Sequence, residues 1–161
     1  MFYSYVDSPI GPLLLSGNRD ELRGLFFSKG SKAQGAHPDW ERNDACFADA
    51  AMQLREYFDG QRKTFDLPLA PAGTPFQLSV LQALQEIPFG ETCSYLDVAK
   101  RIGNPKAVRA VGAANGSNPI ALIIPCHRVI GSNGSLTGFG GGLDSKKFLL
   151  QHEASHSGLF A

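Results

Sequence analysis

The sequence predicts an amino-terminal α/β domain of three antiparallel strands and a helix. A mainly α domain follows it, built on a winged-helix-like helix-turn-helix. Three observations carry this reading. Residues 2–28 hold three short apolar or alternating runs separated by turn residues, the pattern of a meander. The stretch Leu67 to Gly73 has three Pro or Gly among seven residues and marks a boundary, giving domains 1–73 and 74–161. Beyond it, capping residues and helix-ending glycines recur at short intervals.

The elements follow in order. Phe2–Val6, Leu13–Ser16 and Leu22–Phe27 read as strands, with turns at Pro9-Ile10-Gly11-Pro12 and Gly17-Asn18-Arg19-Asp20. Gly30 to Asp39 is polar and reads as a loop. Asp44 to Phe58 reads as a helix with Phe47, Ala51, Leu54 and Phe58 on one face, ended by Asp59-Gly60, and Cys46 near its start is a packing residue. Thr74-Pro75-Phe76-Gln77 opens the next helix with a Thr cap, Pro at the first position and a reciprocal Gln. Phe76, Val80, Leu81 and Leu84 form its apolar stripe, and Pro88-Phe89-Gly90 stops it. Ser94 caps a helix from Tyr95 to Ile102, with Asp97 in its first turn. Gly103 ends it and Asn104-Pro105 starts the next, running to about Asn115, which makes a helix-turn-helix. The small residues Ala107, Ala110, Gly112, Ala113 and Ala114 suit close approach to a backbone, or packing on a neighbour. Asp144 caps a last helix that runs to Glu153, and residues 154–161 read as frayed.

The chain of 161 residues, 43% hydrophobic, can bury one sizeable core or two small ones. Its formal charge is zero, so bulk charge does not advertise nucleic acid. Between Val98 and Leu143, however, Lys100, Arg101, Lys106, Arg109 and Arg128 occur without a single acid, a weak phosphate-binding footprint. Cys46, Cys93 and Cys126 show neither a CxxC pair nor metal-ligand spacing, so no metal site is expected. An odd cysteine count without a signal peptide fits a reducing compartment, and no run reaches membrane-spanning length. The expectation is a soluble, cytoplasmic protein.

Chemistry concentrates at Ile123-Ile124-Pro125-Cys126-His127-Arg128-Val129-Ile130-Gly131. Pro125 ends the apolar run Ile120 to Ile124 and delivers Cys126 to a turn. His127 and Arg128 beside the sulfur can favour the thiolate, the nucleophilic form.

These residues sit in a longer pattern. It begins with Pro88-Phe89-Gly90-Glu91, Ser94-Tyr95 and Gly103-Asn104-Pro105-Lys106-Ala107-Val108-Arg109-Ala110-Val111-Gly112. It continues with Asn115-Gly116-Ser117-Asn118-Pro119, the Cys126 segment, Gly141-Gly142-Leu143 and Leu149-Leu150-Gln151-His152-Glu153. In this order, Pro88 to Glu153 resembles the DNA-binding and active-site domain of the O6-alkylguanine-DNA alkyltransferases, the suicide DNA-repair proteins.

The resemblance implies irreversible transfer of the alkyl group of O6-alkylguanine, and of O4-alkylthymine, to Cys126. His127 would reach the thiol through a water, oriented by Glu153. Tyr95 would hydrogen-bond guanine N3 and protonate the leaving base, and Asn118 would tie the active-site turn together. Arg109 would fill the space left by the flipped base, its alternative being an ordinary phosphate contact. Ser94, Tyr95, Ala110, Asn115 and Arg128 would complete the DNA surface. Pro119, Val129, Phe139, Gly140 and Gly141 would line the substrate pocket. His37, His152 and His156 read as solvated surface histidines. Relatives commonly carry a tyrosine where this chain has Phe139, followed by a small polar or alanine residue where it has Gly140. That difference bears on how tightly the base is gripped. The partner implied is double-stranded DNA bearing alkylated bases, bound through the minor groove by a monomer, with no cofactor because the cysteine is consumed. A non-catalytic lesion sensor and a Cys-His hydrolase stand as competing readings. Cys126 argues against the first, and no oxyanion hole is evident for the second.

Overall fold

The computed structural model describes residues 1–30, 34–134 and 142–157. Strand β1 (Phe2–Val6) pairs antiparallel with β2 (Leu13–Gly17), from Phe2 opposite Gly17 to Val6 opposite Leu13. β2 pairs antiparallel with β3 (Leu22–Phe27). β2 is an interior strand of the sheet and is buried along its whole length, which its run Leu13-Leu14-Leu15 suits. The sheet has a fourth strand where three were expected. β4 (Glu41–Arg42) runs parallel to β1 at one edge, in the order β3-β2-β1-β4. It is joined by the backbone bonds Glu41 N–H to Met1 O (3.1 Å) and Asn43 N–H to Tyr3 O (2.9 Å). Two exposed charged residues leave no hydrophobic pattern to read.

The opposite edge is covered by the rest of the chain. Leu22 exchanges hydrogen bonds with Pro68 O and Ala70 N–H, both at 2.8 Å. Leu25 N–H reaches Pro119 O at 2.9 Å, and Ala121 N–H reaches Leu25 O at 3.3 Å. The linker and the lead-in to Cys126 therefore satisfy the groups an open edge would expose.

Asn43 caps a 3₁₀ turn (Asp44–Phe47) that leads into α1 (Ala48–Phe58). The buried face of α1 is Ala50, Gln53, Leu54 and Tyr57, turned from the expected Ala51 and Phe58. Gln53 faces inward because it is satisfied there, donating to Asp66 O (3.0 Å) and accepting from Asp66 N–H (2.9 Å). Tyr57 is thereby fully buried.

The second half starts with α2 (Pro75–Leu84), closed by the expected reciprocal bonds between Thr74 and Gln77. Its buried side is Val80, Leu81, Ala83 and Leu84, with Phe76 half-buried. α3 (Tyr95–Arg101) carries a second capping box, in which Asp97 bonds Ser94 N–H at 2.9 Å besides favouring the helix dipole. Gly103, at φ 79°, makes the turn. α4 (Val108–Gly116) begins later than expected, because Asn104 and Pro105 belong to the turn closed by Ala107 N–H to Asn104 O (3.0 Å). A short parallel pair joins β5 (Cys93–Ser94) to β6 (Val129–Ile130).

The last helix, α5 (Leu143–His156), also differs from expectation. Its cap position is Gly142 at φ 93°, Asp144 lies inside the first turn, and the helix runs past Glu153 to His156. One hydrophobic cluster spans both halves, from Val6 and Leu15 through Leu54, Leu84 and Val111 to Ile124 and Leu149. Each fully buried leucine in it contributes about 2 kcal/mol. Among the described residues no helix is long and apolar enough to cross a membrane.

Candidate active site

The cysteine turn is built from backbone geometry before any chemistry. Ile123 N–H bonds Ala121 O (2.8 Å), Ile124 N–H bonds Ile120 O (3.0 Å), and Cys126 N–H bonds Ile124 O (2.8 Å). Closing this tight chain puts Leu122 at φ 70°, the left-handed region that a leucine rarely occupies. Asn118 ties the turn from outside: its Nδ2 donates to Ile124 O (2.8 Å) and its Oδ1 accepts from Ile120 N–H (3.0 Å). Cys126 opens a short 3₁₀ turn (Cys126–Arg128) and is only 4% exposed. Burial pushes its thiol up. Hydrogen bonds from the Asn118 side chain and the Leu122 backbone, and the charge of Lys146, pull the other way.

Behind the cysteine lies a buried polar cluster. His127 Nε2 meets Glu153 Oε2 at 2.7 Å. Arg128 grips the same carboxylate with two nitrogens, Nε to Oε1 at 2.8 Å and Nη2 to Oε2 at 3.0 Å, and sends Nη1 to Ile87 O at 2.7 Å. The Tyr57 hydroxyl donates to Oε2 at 2.7 Å. Burial opposes ionisation of Glu153, but the hydrogen bonds and charges of His127 and Arg128 hold it well below the usual carboxylate range. Burial pushes His127 below the usual imidazole range although Glu153 pulls it up. A neutral ring beside an ionised carboxylate carries its proton on Nε2, which leaves Nδ1 as the basic nitrogen. Nδ1 is buried and has no hydrogen-bond partner among the described residues.

Several expectations are corrected here. Arg128 is not on a DNA surface; it is buried, with its donors committed to Glu153 and Ile87. Asn115 is also buried, its Nδ2 3.4 Å from Cys126 O, so it supports the cysteine turn from α4. His152 is no solvated histidine: its Nε2 meets Tyr57 O at 2.7 Å inside an aromatic cluster. Val129 is fully buried, and its carbonyl accepts from Lys146 Nζ at 2.7 Å.

The other candidates divide by exposure. Arg109 and Ala110 lie on the exposed face of α4, opposite Val111, Ala114 and Asn115. Tyr95 is half-buried at the start of α3, and a Cβ added to Gly112 of α4 would touch its ring at 3.9 Å. Ser94 is half-buried and its Oγ accepts from Asp97 N–H (3.1 Å). Pro119 is half-buried, with its carbonyl bound to the sheet. Phe139, Gly140 and Gly141 lie outside the described residues. Two contributors were missed in the sequence, Tyr57 and Lys146, both fully buried polar side chains that reach the cysteine region from α1 and α5.

A buried cysteine backed by a His–Glu–Arg cluster, in the same half of the chain as a helix-turn-helix, defines a DNA-directed protein whose chemistry runs through one thiol. The comparisons agree. Residues 75–155 match the family model described as 6-O-methylguanine DNA methyltransferase, DNA binding domain. Residues 1–71 match the ribonuclease-like domain of the same enzyme. A methylated-DNA–protein-cysteine methyltransferase of Methanosarcina acetivorans is 55% identical over 155 residues, 96% of this chain and 99% of the relative. That of Mycolicibacterium paratuberculosis is 50% identical over 96% of this chain and 93% of its own. The crystal structure of Mycobacterium tuberculosis OGT in complex with DNA superposes with a TM-score of 0.91 at 47% identity, covering 97% of this chain and 94% of that one. The chain belongs to the 6-O-methylguanine DNA methyltransferase family, which repairs DNA by direct alkyl transfer to a cysteine of the protein.

Proposed function

We propose that Cys126 takes the alkyl group from O6-alkylguanine, and from O4-alkylthymine, in double-stranded DNA, once and irreversibly. The observation that carries this is the buried Cys126 turn with the His127–Glu153–Arg128 cluster behind it. In the reaction the Sγ–H proton passes to His127 Nδ1 through a bridging water while sulfur attacks the alkyl carbon. The carbon–O6 bond breaks, its electron pair stays on the base, and Tyr95 donates its phenolic proton to guanine N3. A later proton transfer from the imidazolium restores the phenol, and solvent exchange moves the base's proton from N3 to N1, leaving a normal guanine and S-alkylcysteine. No cofactor enters this balance.

The target base must leave the stack to reach a buried thiol, at a cost of a few kcal/mol. Arg109, exposed on α4, is the residue assigned to the vacated space, its planar guanidinium suiting a stack. Ala110 on the same face lets the helix approach a minor groove closely, where sequence is poorly read and a lesion scanner loses nothing. Ser94 contributes a phosphate-facing helix start. Pro119, Phe139, Gly140 and Gly141 are assigned to the alkyl pocket. The division into domains 1–73 and 74–161 is supported by the separate matches to residues 1–71 and 75–155. A reducing compartment such as the cytoplasm is supported by three free cysteines, and the chain is assigned to act there as a monomer.

Mass spectrometry after incubation with a duplex containing O6-methylguanine tests the proposal. One methyl group per chain, located on Cys126, is expected. An unchanged mass with retained DNA binding would instead indicate a lesion sensor, and repeated turnover of an ester a hydrolase.

A further inference from the structure

Glu153 sits in the DNA-binding half, yet one of its donors comes from the other half. Oε2 accepts from Tyr57 Oη and from His127 Nε2, both at 2.7 Å, and Arg128 completes the shell. We propose that Tyr57 is a positioning residue of the transfer reaction. Its hydroxyl fixes the Glu153 carboxylate, and through it sets the orientation and basicity of His127. This rests on the functional reading above.

Packing alone does not call for a hydroxyl at this point. The Tyr57 ring lies among Phe58 (5.0 Å between centroids), Phe65 (5.5 Å), Phe89 (6.0 Å) and His152 (5.1 Å), where a phenylalanine would fit as well. A phenol buried without a partner would be costly, so its bond to Glu153 is specific. The main chain is held too, since His152 Nε2 donates to Tyr57 O at 2.7 Å. Burial, then the charge of Glu153 and the bond to it, push the phenol far above its usual value. It is therefore a neutral donor at every working pH.

The charges facing this group are few. Glu153 faces His127 and Arg128 from the cysteine turn and Tyr57 from α1. His127 faces Glu153, Arg128 and Lys146. Within this cluster the protons that move during the reaction are those of Cys126 and His127. Taking a donor from a carboxylate makes that carboxylate more basic, and its imidazole neighbour is then protonated more readily. His127 must be neutral to accept a proton.

Tyr57→Phe in the full chain is the test, read by single-turnover transfer from an O6-methylguanine duplex between pH 5.5 and 9. The acid limb of the rate profile should move upward by about half a pH unit or more, and the rate at pH 7 should fall about three- to tenfold. Phe65→Leu, which loosens the same aromatic cluster without touching the hydroxyl, should lower Tm and leave the profile in place. If Tyr57→Phe lowers Tm but keeps the wild-type profile and plateau, or if Phe65→Leu moves the profile equally, Tyr57 is only structural and the inference fails. Wild type failing to take the methyl group would overturn the functional reading instead.

Discussion

Replacing Glu153 with Gln removes one negative charge from a site with almost no water. Glu153 is 1% exposed and Arg128 7%, so the Arg128 guanidinium would be left buried opposite a neutral amide. Removing one partner of such a pair costs about 3–5 kcal/mol, far above the worth of a surface pair. The lower end is expected here, because the amide oxygen can still accept one bond and Arg128 keeps Ile87 O. The pH dependence is more diagnostic. The folded carboxyl is held below its unfolded value of about 4.3, so its stabilisation is complete above that value. It is lost as pH falls towards the folded value. In that window the unfolded chain binds one more proton than the folded one, a slope of about 1.4 kcal/mol per pH unit that Gln cannot show. Urea denaturation of both proteins from pH 7 to 3 measures it. The gap should be constant down to about pH 5 and then close at roughly that slope. A gap under about 1 kcal/mol at pH 7, or one that stays constant to pH 3, would refute a buried ionised Glu153.

Other outcomes follow from the same geometry. Cys126→Ser should abolish methyl transfer and preserve binding to alkylated duplex, because a hydroxyl is far less nucleophilic than a thiolate at neutral pH; residual stoichiometric transfer, seen by mass spectrometry, would remove Cys126 from the mechanism. Arg109→Ala should slow repair in duplex DNA much more than reaction with free O6-benzylguanine, which needs no flipping, and an equal defect on both substrates would contradict the stacking role. Lys146→Met removes a cationic group that favours the Cys126 thiolate and the donor to Val129 O. It should move the pH at which Cys126 reacts with iodoacetamide upward, and an unmoved titration would leave Lys146 a purely structural anchor.

What the sequence disclosed depended on whether a residue's partner was near in the chain. The Thr74–Gln77 box was legible because its two bonds join residues three apart. Ser94–Asp97 was legible in half, since Asp97 reads first as a charge at a helix start and only then as an acceptor for Ser94 N–H. β4 carried no signal, being two exposed charged residues held by their backbone. Cys126 and His127 declared themselves by adjacency, and Glu153 by the resemblance. Arg128 misled because its partner lies 25 residues away, so its charge looked available to phosphate. Tyr57 was hidden by a small rotation of α1. The clue was Gln53, a polar residue one turn earlier whose amide matches both backbone groups of Asp66 in the linker.

That rotation also bears on why a reaction housed in one half of the molecule is built with the other. The cysteine turn holds Leu122 in a left-handed conformation that costs about 1–2 kcal/mol, and short turns hold such strain only when their flanks are fixed. One flank is fixed by Asn118, within the same half. The other is fixed by the sheet, where Leu25 binds Pro119 O and Ala121 N–H on either side of buried Ile120. The edge of β3 thus serves as a rail for the chain entering the turn, while Tyr57 reaches the carboxylate behind it. Two elements of the amino-terminal half, a strand edge and a helix end, grip the two sides of one reactive turn. A binding surface on α4 needs no such support. A nucleophile that must meet one carbon atom in the right direction does, because a displacement of about 1 Å can cost two orders of magnitude in rate.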